Sequence, residues 1–388
     1  MLNTVLENKY QVLKLIRQGE NHDVYKAQEE KTNKKVAIKS ENFIDSTLLL
    51  NEAQVLTDLS SQDSFPRFLS KGKHNGKNYI IVDYLGSSLS AKFTKSNGKF
   101  SFGCALRIAE QLLYRIEILH KSGYLYNNIK PESISAGSGL NWQSIYLTSF
   151  KLSSKYINTK NGRHIPIGKS STSIKKTVYS SLNLMNRISL SRRDDIESIA
   201  YLLIYFTTGT LPWITQENFS DSEIRRKKAN INYEVLSKTC QIEFINFLKY
   251  AKSLEFNQEP DYEMLRNIFK ESASKSKIIR AYDWIFNNEK LSSPIKIDKS
   301  QNPLFLNAAL REPEENFEIV KLKGRKNKKV MFGETNEIGS DGDPAEKALE
   351  EKKQQLCRND TIKLQTLPEI QNRNKIIKMR RDFLATLR

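Results

Sequence analysis

"SRRDDIESIAYLLIYFTTGTLPW" (residues 191–213) is the stretch that decides the fold. Its middle is apolar on nearly every side of a helix, which is typical of a helix buried at the centre of a helical lobe. The apolar run from Ile199 to Ile214 is too short to span a bilayer and is interrupted by threonines and by Pro212. The stretch therefore predicts a lobe of helices built around one central helix.

The first ninety residues have a different period. Four β-branched segments alternate in the manner of strands and are separated by polar turns, and a segment with helical spacing lies between the third and the fourth. In chain order they are KYQVLKLIRQ (9–18), DVYKAQE (23–29), KKVAIKSE (34–41), the helix STLLLNEAQVLTDL (46–59) and NYIIVDYL (78–85). This part predicts a small antiparallel β lobe with one helix.

Helical spacing takes over from about residue 100. Besides the central helix, three amphipathic segments follow: CALRIAEQLLYRIEILHKSG (104–123), QIEFINFLKYAKSL (241–254) and DYEMLRNIFKES (261–272). The sequence thus predicts an α+β, bilobal fold, with an N-lobe at residues 1–86 and a larger, mainly α C-lobe at residues 87–288. Residues 289–388 are expected to form a basic C-terminal extension, with a linker and two helices.

The chain is strongly basic. It has 62 Lys and Arg against 44 Asp and Glu, a formal charge of +18. From Lys290 onward there are 21 basic and 15 acidic residues, a net of +6, so +12 belongs to the part before it. An excess of this size favours an acidic partner, whether a protein surface, a nucleic acid or an anionic membrane.

Cysteine usage and the N-terminus bear on the compartment. The three cysteines are far apart, which favours a reducing environment over a disulfide framework. The segment MLNTVLENKYQV (1–12) has no apolar core of the kind that a signal peptide needs. We therefore expect a soluble, cytoplasmic protein without a membrane span.

Six short motifs follow one another along the chain: VAIK (36–39), YLGSSL (84–89), SLN (181–183), SRRDDIES (191–198), GTLPW (209–213) and PDYEMLR (260–266). In this order and spacing the chain resembles a protein kinase, and specifically the casein kinase 1 family, over roughly residues 8–286. The resemblance implies a protein-kinase-like fold and, for the family, ATP-dependent phosphorylation of serine and threonine.

The resemblance assigns a nucleotide site to the N-lobe. Lys39 matches the lysine that contacts the nucleotide phosphates and Glu52 matches its partner on the helix; a purely structural Lys–Glu pair is an equally good reading. The glycine-rich loop is degenerate, because Arg17 and His22 replace the first and third glycines and only Gly19 remains. We expect the two large side chains to displace the loop or to fill the phosphate space, rather than to bind phosphate themselves.

The catalytic positions implied by the resemblance are altered in YLYNNIKPESI (124–134) and in Ser149-Phe150-Lys151. Asn128 stands at the position of the catalytic base, and an amide does not accept a proton near neutral pH. Ser133 and Ser149 stand at the two magnesium-binding positions, where Mg²⁺ prefers charged or carbonyl oxygen. The sequence therefore predicts a pseudokinase, not an enzyme, with no magnesium site and at most weak ATP binding.

Basic clusters are the candidates for contact with a partner. An acidic surface such as tubulin, for example the microtubule lattice of a cilium, is the expected host for a scaffold of this charge, and nucleic acid is the weakest alternative. A residual or atypical Ser/Thr kinase and a metal-independent nucleotide sensor remain alternative functions. The candidate residues are Arg225, Arg226, Lys227, Lys228, Lys321, Lys323, Arg325, Lys326, Lys328 and Lys329.

Overall fold

The computed structural model describes residues 1–170, 174–214 and 220–288. The expected linker and helices of the C-terminal extension, and the basic cluster from Lys321 to Lys329, lie outside these residues. None of the helices within the described ranges is both long and apolar enough to cross a bilayer.

The N-lobe is an antiparallel sheet with one helix, as the sequence predicts, and it has six strands where four were expected. The elements are β1 (Val5–Leu6), β2 (Tyr10–Arg17), β3 (His22–Glu29), β4 (Lys35–Glu41), α1 (Leu48–Asp58), β5 (Phe68–His74) and β6 (Lys77–Asp83). The strands lie in the order β1-β2-β3-β4-β6-β5, and helix α1 packs against β4, β5 and β6.

The alternation of the strands explains the core of this lobe. Val12, Ala27, Val36, Ile38 and Ile81 are almost completely buried and pack into one cluster. Strands β1 and β5 are missing from the sequence prediction. Strand β5 has the sequence FLSKGKH, which is too rich in lysine and glycine to show a strand pattern, and pairing with β6 supplies the order that its own residues do not.

The C-lobe is mainly helical, and its described residues also form two short two-stranded sheets. Its helices are α2 (Leu89–Lys95), α3 (Phe102–Lys121), α4 (Leu182–Met185), α5 (Arg192–Thr208), α6 (Asp221–Ala229), α7 (Tyr233–Ser237), α8 (Ile242–Ser253), α9 (Tyr262–Lys275) and α10 (Asp283–Asn288). Strand β7 (Tyr124–Leu125) pairs with β10 (Ser154–Lys155), and β8 (Ile134–Ala136) pairs with β9 (Ile145–Leu147).

Helix α5 is the centre of this lobe, as its composition predicts. It contacts α3, α4 and α8, and every residue from Asp194 to Ile204 is buried. The helix ends at Gly209, whose φ of +82° is a left-handed conformation that glycine adopts without strain. The N-terminal end of α5 carries Asp194 and Asp195, and Asp195 accepts hydrogen bonds from the loop that follows β7.

Candidate active site

A buried ion pair joins the sheet of the N-lobe to helix α1. Nζ of Lys39 on β4 donates to the carboxylate of Glu52 on α1, and it also donates to the backbone carbonyl of Thr148, directly before Ser149. Lys39 is 6% exposed and Glu52 is fully buried. The second carboxylate oxygen of Glu52 has no hydrogen-bond partner among the described residues. The pair predicted from the sequence is therefore formed, and it also reaches across to the C-lobe.

The loop after β7 is held from below by Asp195. Its carboxylate accepts hydrogen bonds from the backbone N–H groups of Tyr126 (2.7 Å) and Asn127 (2.8 Å), and it lies 2.9 Å from Nε2 of His120. Asn127 has a φ of +59°, so the loop makes a sharp turn at this residue. Three partners on one buried carboxylate fix the backbone on which Asn128 stands.

The three altered catalytic positions are brought together, and each is buried. Asn128 donates from Nδ2 to the carbonyl of Ser149 at 3.2 Å. The backbone N–H of Ser149 donates to the hydroxyl of Tyr126, and that hydroxyl donates to the carbonyl of Ser133 at 2.9 Å. Tyr126 is fully buried, and burial raises the pKa of its phenol far above the usual range.

The chemistry of these side chains follows from their types. The site offers an amide and two hydroxyls, which donate and accept hydrogen bonds but carry no negative charge near neutral pH. Of the carboxylates near it, Glu52 is paired with Lys39 and Asp195 is engaged by backbone N–H groups. The arrangement holds the loop in place through hydrogen bonds.

The degenerate glycine loop is linked to the segment after Phe150 by side chains. Nη2 of Arg17 lies 3.0 Å from Nε2 of His22, and Nδ1 of His22 lies 3.3 Å from Nζ of Lys151. Arg17 also donates from Nη1 to the carbonyl of Glu132, at 3.4 Å. We call Arg17, His22 and Lys151 the cleft bridge, since they connect the N-lobe to the segment after Phe150 in the C-lobe.

Electrostatics keep His22 neutral. The side chain is 4% exposed. Burial and the neighbouring positive charges, with Lys39 first among them, lower the pKa of the imidazole to about 2. The pKa of Lys151 is lowered to about 8, again mainly by burial and then by the positive charge of Lys130.

Gly19 is held in a tight turn between Arg17 and His22. Its N–H donates to the Asp23 carboxylate at 3.2 Å, and its carbonyl accepts from the Asn42 amide at 2.6 Å. A Cβ atom at position 19 would lie 2.5 Å from the carbonyl oxygen of His22. The remaining glycine is thus required by the backbone of the loop itself.

Helix α1 also fixes the segment that carries Ser149 and Lys151. Nδ2 of Asn51 lies within hydrogen-bond distance of the carbonyls of Phe150 (3.4 Å), Lys151 (3.1 Å) and Ser153 (2.9 Å). The Phe150 ring is fully buried and packs edge-on against the rings of Tyr126 and Phe65. Phe150 therefore anchors this segment in the interior of the protein.

The basic cluster on α6 is only partly a surface. Arg225 and Arg226 are exposed, and Nζ of Lys227 donates to the carbonyl of Pro212 at 3.3 Å. The prediction that Lys228 contacts a partner is wrong, because this residue is fully buried. Its Nζ donates to the carbonyl of Ser180 and faces two aromatic rings, so the long side chain turns inward from the helix.

Several contacts of the site have no signal in the sequence. The contact of Lys39 with the carbonyl of Thr148 is one, because every residue has a backbone carbonyl and the sequence therefore cannot single this one out. Tyr126 is another, since only the folded loop places its hydroxyl between Ser149 and Ser133. For Asn51 the sequence gives one indication of a role in the site, because this residue directly precedes Glu52 on the predicted helix.

The comparison with known families agrees with this geometry. The structure combines three features in one arrangement: a lysine–glutamate pair between sheet and helix, an aspartate at the start of the central helix under the loop, and a buried phenylalanine after the short strands of the C-lobe. The model of the protein kinase domain matches residues 10–291, most of the chain. The chain therefore belongs to the protein kinase domain family.

Proposed function

We propose that this protein is a catalytically inactive relative of casein kinase 1 that acts as a scaffold. The observation that carries the proposal is the set of groups at the catalytic positions: the amide of Asn128 and the hydroxyls of Ser133 and Ser149 stand together in a buried, hydrogen-bonded site. Phosphoryl transfer depends on positioning and on neutralising charge, and it needs a base and metal ligands that these groups do not supply.

The size of the loss supports the proposal. Loss of a positioned general base costs on the order of 10²- to 10⁴-fold in rate. Here the two metal-binding positions are changed as well, so neutralisation of the developing phosphate charge is impaired independently. The Nδ2 group of Asn128, which donates to the Ser149 carbonyl, points the hydrogen-donating side of the amide into the site.

The contacts that hold the site in place are intact and favour a role that depends on a defined shape. Lys39 with Glu52, Asp195 beneath the loop and Phe150 beside Tyr126 hold both lobes in one arrangement. These contacts position a catalytic loop in an active kinase, yet here they serve a loop without the reactive groups. A protein that keeps such a frame presents a defined surface to a partner.

A phosphotransfer assay tests the inactivity. Purified full-length protein is incubated with labelled ATP, casein and either magnesium or manganese, beside an active casein kinase as the positive control. We expect no incorporation above that of a Lys39→Ala variant. Incorporation by the wild-type protein that disappears in Lys39→Ala would overturn the proposal, and the atypical Ser/Thr kinase would take its place.

The scaffold is proposed to act in the cytoplasm, on an acidic protein lattice such as the microtubules of a cilium. The support is the charge of +18 and the exposed Arg225 and Arg226 on α6. Co-sedimentation with microtubules at physiological salt is expected, and Arg225→Glu/Arg226→Glu is expected to weaken it. Lys14→Glu/Lys31→Glu, which reverses two exposed charges in the N-lobe, is the matched control. Absence of wild-type protein from the pellet would remove this partner.

A further inference from the structure

Four positive side chains act electrostatically on the imidazole of His22, and two of them, Arg17 and Lys151, contact it. They come from separate elements: Arg17 ends β2, Lys39 lies on β4, Lys130 precedes the short helix at Pro131–Ser133, and Lys151 follows Phe150. Each of the four lowers the pKa of His22 through its charge. A concentration of positive charge in one cleft raises the local concentration of anions.

The carboxylates nearby do not balance these charges. Glu52 is engaged by Lys39. Neither Lys130 nor Lys151 forms an ion pair with a carboxylate in the part of the chain that the structure describes. Glu20 is paired with Lys175, at 2.8 Å on the exposed side of the loop. Lys130 and Lys151 therefore retain donors that no protein anion has taken.

The cleft bridge itself has one donor too many. The guanidinium of Arg17 faces Nε2 of His22 and the amine of Lys151 faces Nδ1. A neutral imidazole has a single acceptor nitrogen, because the other nitrogen carries a proton. With Lys151 charged, one of the two contacts therefore sets hydrogen donor against hydrogen donor, and an added anion would give both cations a partner.

The sequence led us to expect that Arg17 does not bind phosphate; from the contacts above we propose instead that Arg17, Lys130 and Lys151 form an oxyanion site. This site takes a phosphate or sulfate group, free or at the end of a nucleotide, without a divalent cation. Guanidinium and ammonium groups make strong, charge-assisted hydrogen bonds to such oxygens. The positive charge of Lys151, two residues after Ser149, supplies the neutralisation that a metal ion supplies in an active kinase. The site rests on the proposed loss of the magnesium-binding positions.

Binding is measured by calorimetry on the full-length protein in EDTA. The probes are sulfate, tripolyphosphate, ATP and adenosine. We expect the two inorganic anions to bind, and adenosine alone to bind more weakly than ATP. If ATP binds more tightly than tripolyphosphate, the site takes a nucleotide; if the two bind equally, it takes a free polyphosphate. Either result supports an oxyanion site.

Magnesium provides the sharpest contrast with an ordinary kinase. Because the ion neutralises the triphosphate that the lysines would otherwise neutralise, adding magnesium is expected to leave ATP binding unchanged or to weaken it. Binding of ATP that requires magnesium would overturn the inference. So would the absence of binding by sulfate and tripolyphosphate at millimolar concentration. A phosphotransfer assay is read separately, so inactivity and anion binding can fail independently.

Variants assign the site to its residues. Lys151→Gln and Lys130→Gln are each expected to weaken sulfate binding about tenfold or more, the usual effect of removing one charged hydrogen-bond partner. Lys151→Arg is expected to retain binding, and Arg225→Gln on α6 is the control for a change of net charge. A thermal unfolding curve for each variant excludes loss of fold. Equal weakening by Arg225→Gln would show a nonspecific charge effect and overturn the site.

The pH dependence is a second readout. The charged groups that face Lys151 are Lys130, Glu52, Arg17 and Lys39, beside the neutral His22. The pKa of Lys151 is about 8, so sulfate affinity should be constant below that pH and fall as the pH rises through it. In Lys151→Arg the fall should vanish, since guanidinium stays charged. The same fall in both proteins would assign it to another group.

Discussion

Lys228 offers a direct test of the electrostatics of the C-lobe. The residue lies on α6 and is fully buried, with Nζ 4.7 Å from the ring centre of Tyr201 and 4.9 Å from that of Trp213. Burial lowers the pKa of its amine to about 7, although the charge of Glu197 acts in the opposite direction and that of Lys252 adds to the lowering. Replacement of Lys228 by methionine keeps a long side chain and removes the titrating group.

The expected effect follows from linkage between protonation and folding. In the unfolded chain the amine keeps its ordinary pKa of about 10.5, so between about pH 7 and pH 10.5 the unfolded state binds more protons than the folded state. The free energy of unfolding therefore rises with pH across this window. A pKa of about 7 corresponds to a rise of roughly 2 kcal/mol from pH 7 to pH 9, as an upper value because the two rings also favour the cation.

Urea denaturation at pH 7, 8 and 9 measures the effect. The difference in free energy of unfolding between wild type and Lys228→Met should shift in favour of the wild type by up to about 2 kcal/mol as the pH rises from 7 to 9. The exposed Lys31 provides the matched control, Lys31→Met, for which no such shift is expected. A pH dependence that is the same in wild type and Lys228→Met would refute the reasoning.

Three further predictions concern the frame of the site. Asp195→Asn should lower the free energy of unfolding by about 3 kcal/mol in urea denaturation, because it weakens hydrogen bonds from two backbone N–H groups to a buried charge. Lys39→Met should lower the free energy of unfolding by about 3–5 kcal/mol, because it leaves Glu52 charged and unpaired. The double variant Lys39→Met/Glu52→Gln should regain much of that stability, and no such gain would contradict a structural pair. Gly19→Ala should cost about 1–3 kcal/mol in thermal unfolding, because the new methyl meets the His22 carbonyl at 2.5 Å, and an unchanged melting temperature would show that the loop yields freely.

The fold could be predicted where hydrophobic period and chain order were both strong. The central helix α5 has no polar face over most of its length, and the structure buries it accordingly. Helix α3 was expected to end at Gly123; it ends at Lys121, followed by Ser122 and by Gly123 at a φ of +83°. Helix α2 and strand β5 were missed, because short polar segments take their structure from their neighbours.

The site was predictable in part. Lys39 and Glu52 lie on elements that the sequence identifies, so their pairing follows from the fold. The burial of Lys228 does not follow from the sequence, because a lysine in a run of basic residues is normally exposed to solvent. Only the packing of the fold places two aromatic rings next to its amine. The sequence drew attention to Arg17 and His22 but did not predict the link to Lys151, since His22 and Lys151 are more than a hundred positions apart.

The amide of Asn51 has a consequence for how this protein meets other molecules. Active kinases depend on the position of the N-lobe helix, and here the Asn51 side chain on α1 lies within hydrogen-bond distance of three carbonyls of the segment beneath it, those of Phe150, Lys151 and Ser153. An outward movement of α1 would remove this donor from the segment, at a cost of up to two hydrogen bonds, since the amide has two N–H groups. Helix α1 and the segment from Phe150 to Ser153 are therefore held together as one unit. A molecule that binds across both meets a preformed surface, so little of its affinity is lost to ordering that surface.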